Sequence, residues 1–309
     1  MRLFLRSHRH ERAWVGAPVE YWFFRTSWPS GALLVDVIHR RNEGVVELRV
    51  ASWHEGKPSV HRMRRESPGT KEWDPGRVVD CDLTLHTSRG SCGPISWNLN
   101  FDVAGTMVSA PPAPWRQLGT FDLSLTSWPR AKATGHVTIN GRTEALLDRS
   151  SMLCHYWGRQ LPHRWLWLSA NDFDRPELAV EASVLRSQVW GWQVALPPLG
   201  YGWLQDRSAT HMVASPITGL VRYAPRPTGG VNISVAGLCG RWQLQAWAPD
   251  ESFVELGEGI AQSLRANCLL LLPSGEALAH GTATLEVRDQ EWLTTGLPTP
   301  DPVQALAAN

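Results

Sequence analysis

The chain has 309 residues, 43% of them hydrophobic, which is enough for a sizeable core in one large domain or two smaller ones. Its 30 basic and 29 acidic residues form no long single-sign block, so a phosphate backbone is not an expected partner and we predict no nucleic-acid binding. Five widely spaced cysteines without a C-x-x-C pair indicate neither a disulfide framework nor a zinc site.

The N-terminal segment, MRLFLRSHRHERAW, is basic but lacks the apolar stretch of a signal peptide. The most apolar run, CLLLLP from Cys268, is too short to span a bilayer as a helix. We therefore expect a cytoplasmic protein without a transmembrane segment. Peripheral contact with a membrane remains compatible with this expectation. Residues 1–14 are expected to form a basic tail and residues 291–309 a C-terminal tail.

Alternation of apolar and polar residues predicts β-strands along most of the chain. In VVDCDLTLH, Val79, Cys81 and Leu83 share one face of a strand while Asp80 and Asp82 take the other. The pattern recurs in chain order in VVELRV, FDLSLT, HVTIN, LAVEASV, VNISVAG and ATLEVRD, with turn residues between the runs.

Helical spacing is scarce. SSMLCHYWGRQ and parts of SFVELGEGIAQSLRANC permit a helix, and the second could equally be two strands around Gly257 and Gly259. We predict an all-β, barrel-like or sandwich-like protein with less than about a tenth of its residues in α-helix, well below the usual globular share.

Two proline-containing stretches, SAPPAPWRQLG and TSWPRAKATG, interrupt the strand pattern and predict a domain boundary at about Pro129. The predicted domains are residues 15–129 and residues 130–290. Each contains enough strands for its own barrel, and each has a tryptophan-rich segment near its start, VEYWFFRTSW and HYWGRQLPHRW. Two related barrels packed together would explain this arrangement.

The two tryptophan-rich segments resemble motifs of a known family. Glu20-Tyr21-Trp22-Phe23-Phe24 is similar to the E-W-W-Y-F opening of the lipocalin-like group that contains AttH, carotenoid hydratase and tocopherol cyclase. The second segment resembles that group's H-x-W-G and W-x-W-x-x-x-N-x-F patterns at His155, Trp157, Gly158, Trp165, Trp167, Asn171 and Phe173. The resemblance covers roughly residues 19–287.

This resemblance implies two calycin-like or lipocalin-like β-barrel halves around an apolar pocket. It also implies an activity, because members cyclise prenylated phenols, hydrate carotenoid double bonds or fold linear polyenes by cycloaddition. Two positions depart from the pattern: Cys154 stands where many AttH-type relatives have an acid, and Tyr21 where tryptophan is common. A proton donor must therefore come from elsewhere, with Asp172, Asp174, Glu20 or Glu258 as candidates.

The residues themselves support a pocket for a hydrophobic molecule. Trp165, Trp167, Ser169 and Asn171 would share one face of a strand and point into one pocket or one core. Chemistry on carbocations or polyenes needs a site without bulk water, and indole faces attract cations by about 0.5–2 kcal/mol. The residues expected to bind substrate are Tyr21, Trp22, Trp157, Trp165 and Trp167.

Two classes of function remain open. The first is a cofactor-independent cyclase, isomerase or hydratase that acts on a terpenoid, polyene or polyketide-derived substrate, with Glu20, His155 and Asn171 as catalytic residues. The second is a non-catalytic, lipocalin-like carrier of a hydrophobic small molecule. Each of these residues could instead have a purely structural role. Single tryptophans often fill β cores, and Glu20 could form a structural pair with an arginine or a histidine. The histidine spacing predicts no metal site, and the oligomeric state stays open.

Overall fold

The computed structural model describes residues 17–67, 79–104, 106–110, 123–162, 164–186, 199–207, 209–215, 218–226, 230–237 and 240–288. These residues form β-strands and two short 3₁₀ turns, Arg41–Glu43 and Asp250–Ser252, so the all-β prediction is confirmed. None of the elements in these ranges is a helix long and apolar enough to cross a membrane. Both predicted tails lie outside the described residues. The chain divides into two compact units, unit 1 up to Pro162 and unit 2 from His163 onward.

Unit 1 is one antiparallel sheet that curves into a half-barrel. Its strands are β1 (Val19–Trp28), β2 (Gly31–Arg40), β3 (Val45–His54), β4 (Lys57–Glu66), β5 (Cys81–Leu83), β6 (Thr87–Cys92), β7 (Ile95–Ala104), β8 (Val108–Ala110), β9 (Leu123–Ile139) and β10 (Arg142–Gly158). Their order is β4-β3-β2-β1-β10-β9-β7-β6-β5, with β8 paired to β9. The two motif-bearing strands, β1 and β10, are therefore neighbours in the middle of the sheet.

One face of this sheet carries the apolar core of unit 1. Strand alternation places Trp22, Phe24 and Trp28 of β1 on that face, and Leu153 of β10 lies among them. Burying each such side chain stabilises the fold by roughly 1.5–3 kcal/mol. The same alternation places Glu20 at the end of this apolar row, where β1 begins.

Unit 2 is a second antiparallel sheet that nearly closes into a barrel. Its strands are β11 (Arg164–Ala170), β12 (Ala179–Arg186), β13 (Leu199–Gln205), β14 (Thr210–Ala214), β15 (Gly219–Pro225), β16 (Val231–Gly237), β17 (Gly240–Trp247), β18 (Phe253–Glu255), β19 (Ile260–Leu272) and β20 (Gly275–Arg288). The order is β14-β13-β12-β11-β20-β19-β17-β16-β15, with β18 on β19. The edge strands β14 and β15 lie beside each other, which brings the sheet close to closure.

Mostly aliphatic side chains fill the interior of this barrel. Leu166, Leu168 and Ala170 of β11 belong to that core. Because neighbouring side chains on a strand point to opposite faces, Trp165, Trp167 and Ser169 lie on the outer face of the sheet. The two indoles therefore do not line the barrel interior, although both are buried.

The predicted domain boundary at Pro129 differs from the division seen in the structure. Pro129 lies inside β9, a continuous strand of 17 residues, whereas the compact units divide after Pro162. The pairing of β9 with β10 shifts register just there, between Trp128↔Leu153 and Ala131↔Ser151. A strand tolerates proline at such a bulge because a ladder hydrogen bond is already missing, so the proline marks an irregularity within unit 1.

A buried ion pair on the other face of the unit 1 sheet makes the stability of the fold depend on pH. Arg49 Nε lies 3.0 Å from Asp36 Oδ2. Burial outweighs the attraction of Arg49 and raises the pKa of Asp36 from 3.8 to about 6. The neutral carboxyl thus stabilises the fold below its ordinary pKa, and this contribution is lost as the pH rises through about 6.

We therefore compare the unfolding free energies of Asp36→Asn and the wild type at each pH. As the pH rises from 4 to 7, we expect their difference to shift by roughly 2–3 kcal/mol in favour of Asp36→Asn. Urea denaturation of both proteins across this range measures the difference, with the exposed Asp102→Asn as a matched control. If the wild type instead gained stability relative to Asp36→Asn as the pH rose, attraction to Arg49 would outweigh desolvation.

Candidate active site

Glu20 and His155 form a buried pair at the end of the unit 1 core. The register of β1 and β10 sets Trp22 opposite His155 and Glu20 opposite Trp157, so all four side chains share one face. His155 Nε2 lies 2.8 Å from Glu20 Oε1, and the two residues are 2% and 0% exposed. Because an ionised carboxylate can only accept, His155 Nε2–H donates this hydrogen bond when Glu20 is ionised.

Two indoles hold the imidazole of His155 in place. Trp22 stacks on it with ring centroids 4.2 Å apart and an interplanar angle of 9°, and Trp157 lies 4.6 Å away at 30°. Trp128 stacks behind Trp22 at 5.9 Å. These two ring contacts fix the orientation of the imidazole. Trp157 is half-buried and lies where β10 ends.

His39 is a third titratable group at this position. It is the cross-strand neighbour of Glu20 on β2, and it is also buried. Burial, followed by the charge of Arg41, lowers the pKa of His39, while the carboxylate of Glu20 opposes the shift. His39 is therefore neutral near pH 7, and an imidazole in that form can donate from one nitrogen and accept at the other. His39 belongs to neither motif and was not predicted as a site residue, although the alternation in GALLVDVIHR places it on the same face as Val35 and Val37.

The two positions that depart from the family motifs, Tyr21 and Cys154, lie on the other face of the sheet. Tyr21 stacks on Tyr156 with centroids 4.8 Å apart, and Cys154 pairs with Phe23. Both faces of β1 are buried, but Tyr21 does not join the row of Glu20, Trp22 and His155. Substrate binding by Tyr21 stays a prediction, and it would take place on a different face from that of Glu20 and His155. The position of Cys154 is likewise on the face away from His155.

The candidates for the proton donor differ sharply in burial. Asp172, Asp174 and Glu258 are exposed to solvent, whereas Glu20 is fully buried. A reaction that must exclude bulk water needs its proton-transfer groups in a buried position. Among the four candidates, burial therefore singles out Glu20.

The remaining predicted residues lie in unit 2. Trp165 and Trp167 lie on the outer face of β11, and Trp165 Nε1–H donates to Glu286 Oε1 at 2.6 Å. Asn171 directly follows β11 and is buried, while Asp172 is exposed. Because Glu20 and His155 belong to unit 1, a common cavity for them and Asn171 stays a prediction. Within the described ranges, no three His, Cys, Asp or Glu side chains come together as metal ligands.

Comparison with known proteins gives matches among solved structures. No family model and no curated protein matches the chain. A protein of Nitrosomonas europaea assigned as AttH superposes with a TM-score of 0.60 at 15% identity, over 89% of this chain and 93% of its own. The chain has the AttH-type, lipocalin-like fold. Two further structures share that AttH-type fold, which confirms the architecture that the sequence motifs implied.

Kievitone hydratase from Nectria haematococca matches with a TM-score of 0.60 at 14% identity, over 87% of this chain and 88% of its own. CghA matches with a TM-score of 0.58 at 13% identity, over 88% of each chain. At these identities the AttH-type likeness establishes the fold and leaves the activity to be argued from the site.

Proposed function

We propose that the protein is an enzyme that transfers a proton to or from an unsaturated, hydrophobic small molecule, and so hydrates, isomerises or cyclises it without an external cofactor. The observation that carries this proposal is the buried pair of Glu20 and His155, held between the indoles of Trp22 and Trp157. The fold shared with kievitone hydratase supports it, because that protein is named as a hydratase.

The chemistry of the pair fits proton transfer. Its two members share a hydrogen bond of 2.8 Å in a setting without solvent, where interactions with charge are stronger than in water. The carboxylate of Glu20 stabilises an imidazolium at His155, and the imidazolium is the acid that donates to a double bond. Positioned acids or bases of this kind contribute about 10²–10⁴-fold in rate.

The surrounding tryptophans have two tasks in this proposal. Protonation of a carbon–carbon double bond creates positive charge on the substrate, and an indole face stabilises such charge by about 0.5–2 kcal/mol. The apolar walls also exclude bulk water, which would otherwise trap the cation before it cyclises or loses a proton. Trp22 and Trp157 contact His155 directly and so lie next to the donated proton.

The experiment that tests this function measures isotope uptake by candidate substrates. Purified protein is incubated with a panel of prenylated phenols and linear polyenes in D₂O, and separately in water enriched in ¹⁸O, and the products are analysed by mass spectrometry. We expect deuterium in the product of at least one compound, with ¹⁸O as well if the reaction is a hydration. Tight binding of panel members without deuterium uptake or a change in structure would identify the protein as a carrier.

A further inference from the structure

Glu20 has a histidine on each of the two strands that flank β1 in the unit 1 sheet. His155 Nε2 on β10 lies 2.8 Å from its carboxylate, and His39 on β2 stands directly opposite Glu20 in the strand register. Residues opposite each other in an antiparallel pair share one face and have Cβ atoms about 4.5–5.5 Å apart. One buried carboxylate therefore lies within reach of two buried imidazoles.

The groups that face His39 from neighbouring elements include Glu20 as their acidic member. On β3 the residue opposite His39 is the apolar Val46, and the next residue in that row, Arg65 on β4, is exposed. Arg41 lies in the exposed 3₁₀ turn that follows β2. Burial and then the charge of Arg41 lower the pKa of His39, and the Glu20 carboxylate opposes this shift. Glu20 thus favours a proton at His39 as well as at His155.

A single carboxylate cannot give its full support to two imidazolium ions. An opposite charge within about 4–6 Å shifts a pKa by roughly 1–3 units, and a proton on one ring offsets that attraction for the other. Groups coupled in this way titrate in steps that belong to the cluster and not to one residue. His39 is neutral near pH 7, so at that pH the carboxylate of Glu20 serves His155.

We propose that His39 is a positioning residue of the proton-transfer site, which acts through Glu20 and turns the site off when it gains a proton. A protonated His39 attracts the carboxylate from the β2 side. His155 then loses the acceptor that holds its ring, and the developing cation of the substrate meets an additional positive charge. His39 itself contacts no reacting atom. The effect on turnover rests on the proposed function, whereas the shared carboxylate stands without it.

NMR titration of the histidine rings tests the shared carboxylate without a substrate. The chain has 11 histidines, and spectra of His39→Gln and His155→Gln assign the two signals by their disappearance. In His155→Gln, where one imidazole is left beside Glu20, the pKa of His39 should rise by about one unit. In Glu20→Gln it should fall by about one unit, because the attraction is lost.

His54→Gln is the matched control for these titrations. His54 is also buried and also pairs with a carboxylate, that of Glu144 at 3.2 Å, but it lies at the end of β3 beside the start of β2, away from His39. Its replacement should leave the pKa of His39 unchanged.

The pH dependence of turnover separates positioning from a purely structural role. With a substrate found by isotope uptake, wild-type turnover should fall to about a tenth at one pH unit below the pKa measured for His39. Glutamine at this position can donate a hydrogen bond but cannot gain a charge. The turnover of His39→Gln should therefore vary less than about twofold over the same interval, while His54→Gln should show the decrease of the wild type.

Three results would overturn the inference: a pKa of His39 that is the same in the wild type and His155→Gln, one that does not fall in Glu20→Gln, and an acidic decrease in turnover that survives in His39→Gln. Thermal unfolding is measured first, and the variants that fold decide. Coupled titrations without isotope uptake by any substrate would contradict the proposed function and leave the shared carboxylate intact. Isotope uptake with uncoupled titrations would do the opposite.

Discussion

Replacing Glu20 with glutamine should lower turnover by about 10²–10⁴-fold and leave ligand affinity close to that of the wild type. Glutamine has nearly the same shape and can still hydrogen-bond to His155, but it carries no charge to stabilise the imidazolium and cannot exchange a proton. The loss should therefore appear in the chemical step. Single-turnover kinetics with a substrate found by isotope uptake, together with the dissociation constant of that substrate, separate the two effects.

The matched control for this substitution is Glu66→Gln, which changes an exposed carboxylate on the edge strand β4 of the same sheet. It should leave turnover and affinity unchanged. His155→Gln should resemble Glu20→Gln, and the double variant should be little worse than either single one, because the two residues act as a unit. A Glu20→Gln protein with wild-type turnover would show that the pair is structural.

Replacing Trp22 with alanine should lower the unfolding free energy by about 3–5 kcal/mol, the usual cost of deleting a large buried aromatic side chain. Trp22 is 4% exposed and stacks on both His155 and Trp128, so its loss removes contacts on two sides of the ring. It also removes one of the two surfaces that orient the imidazole. Urea denaturation measures the stability, and Trp22→Phe should retain part of it because a smaller ring can still stack.

Trp53→Ala provides the comparison for Trp22→Ala, since Trp53 lies in β3 of the same sheet but is only half-buried. It should cost roughly half as much or less, in proportion to the apolar area it removes from water. Equal losses in the two variants would contradict the dependence on buried area and would leave no contribution from the stacks around His155. A Trp22→Ala protein of wild-type stability would place Trp22 outside the core.

Period-two alternation was sufficient to predict the fold class, and it failed where glycine removes the apolar side chain that carries the pattern. Gly200 and Gly202 stand at alternate positions without an apolar side chain, yet they belong to strand β13. Their missing side chains leave room for Val221 and Trp242 in the barrel interior. SSMLCHYWGRQ permitted a helix, but its part up to Gly158 forms the end of β10, because pairing with both β1 and β9 outweighs local propensity.

The candidate site was predictable in part because its members lie within two motifs. Glu20 and His155 are far apart in the chain, and only the pairing of β1 with β10 brings them to 2.8 Å. The family resemblance selected both residues before that pairing was known. His39 stands in no motif, and its place beside Glu20 depends on the register of β1 with β2, which a single sequence does not specify. The outer position of Trp165 and Trp167 was open for a related reason, since alternation shows that they share a face but not which face is turned to the core.

The most direct test of the proton-transfer role is a crystal structure of the Glu20→Gln protein with a substrate bound, since the slow variant should hold the substrate unreacted. We expect the reacting carbon or oxygen of the substrate to lie about 3–3.5 Å from the ring of His155 or from the side chain at position 20, with Trp22 or Trp157 against the substrate. A substrate bound elsewhere, with residue 20 and His155 enclosed by protein atoms alone, would contradict this expectation.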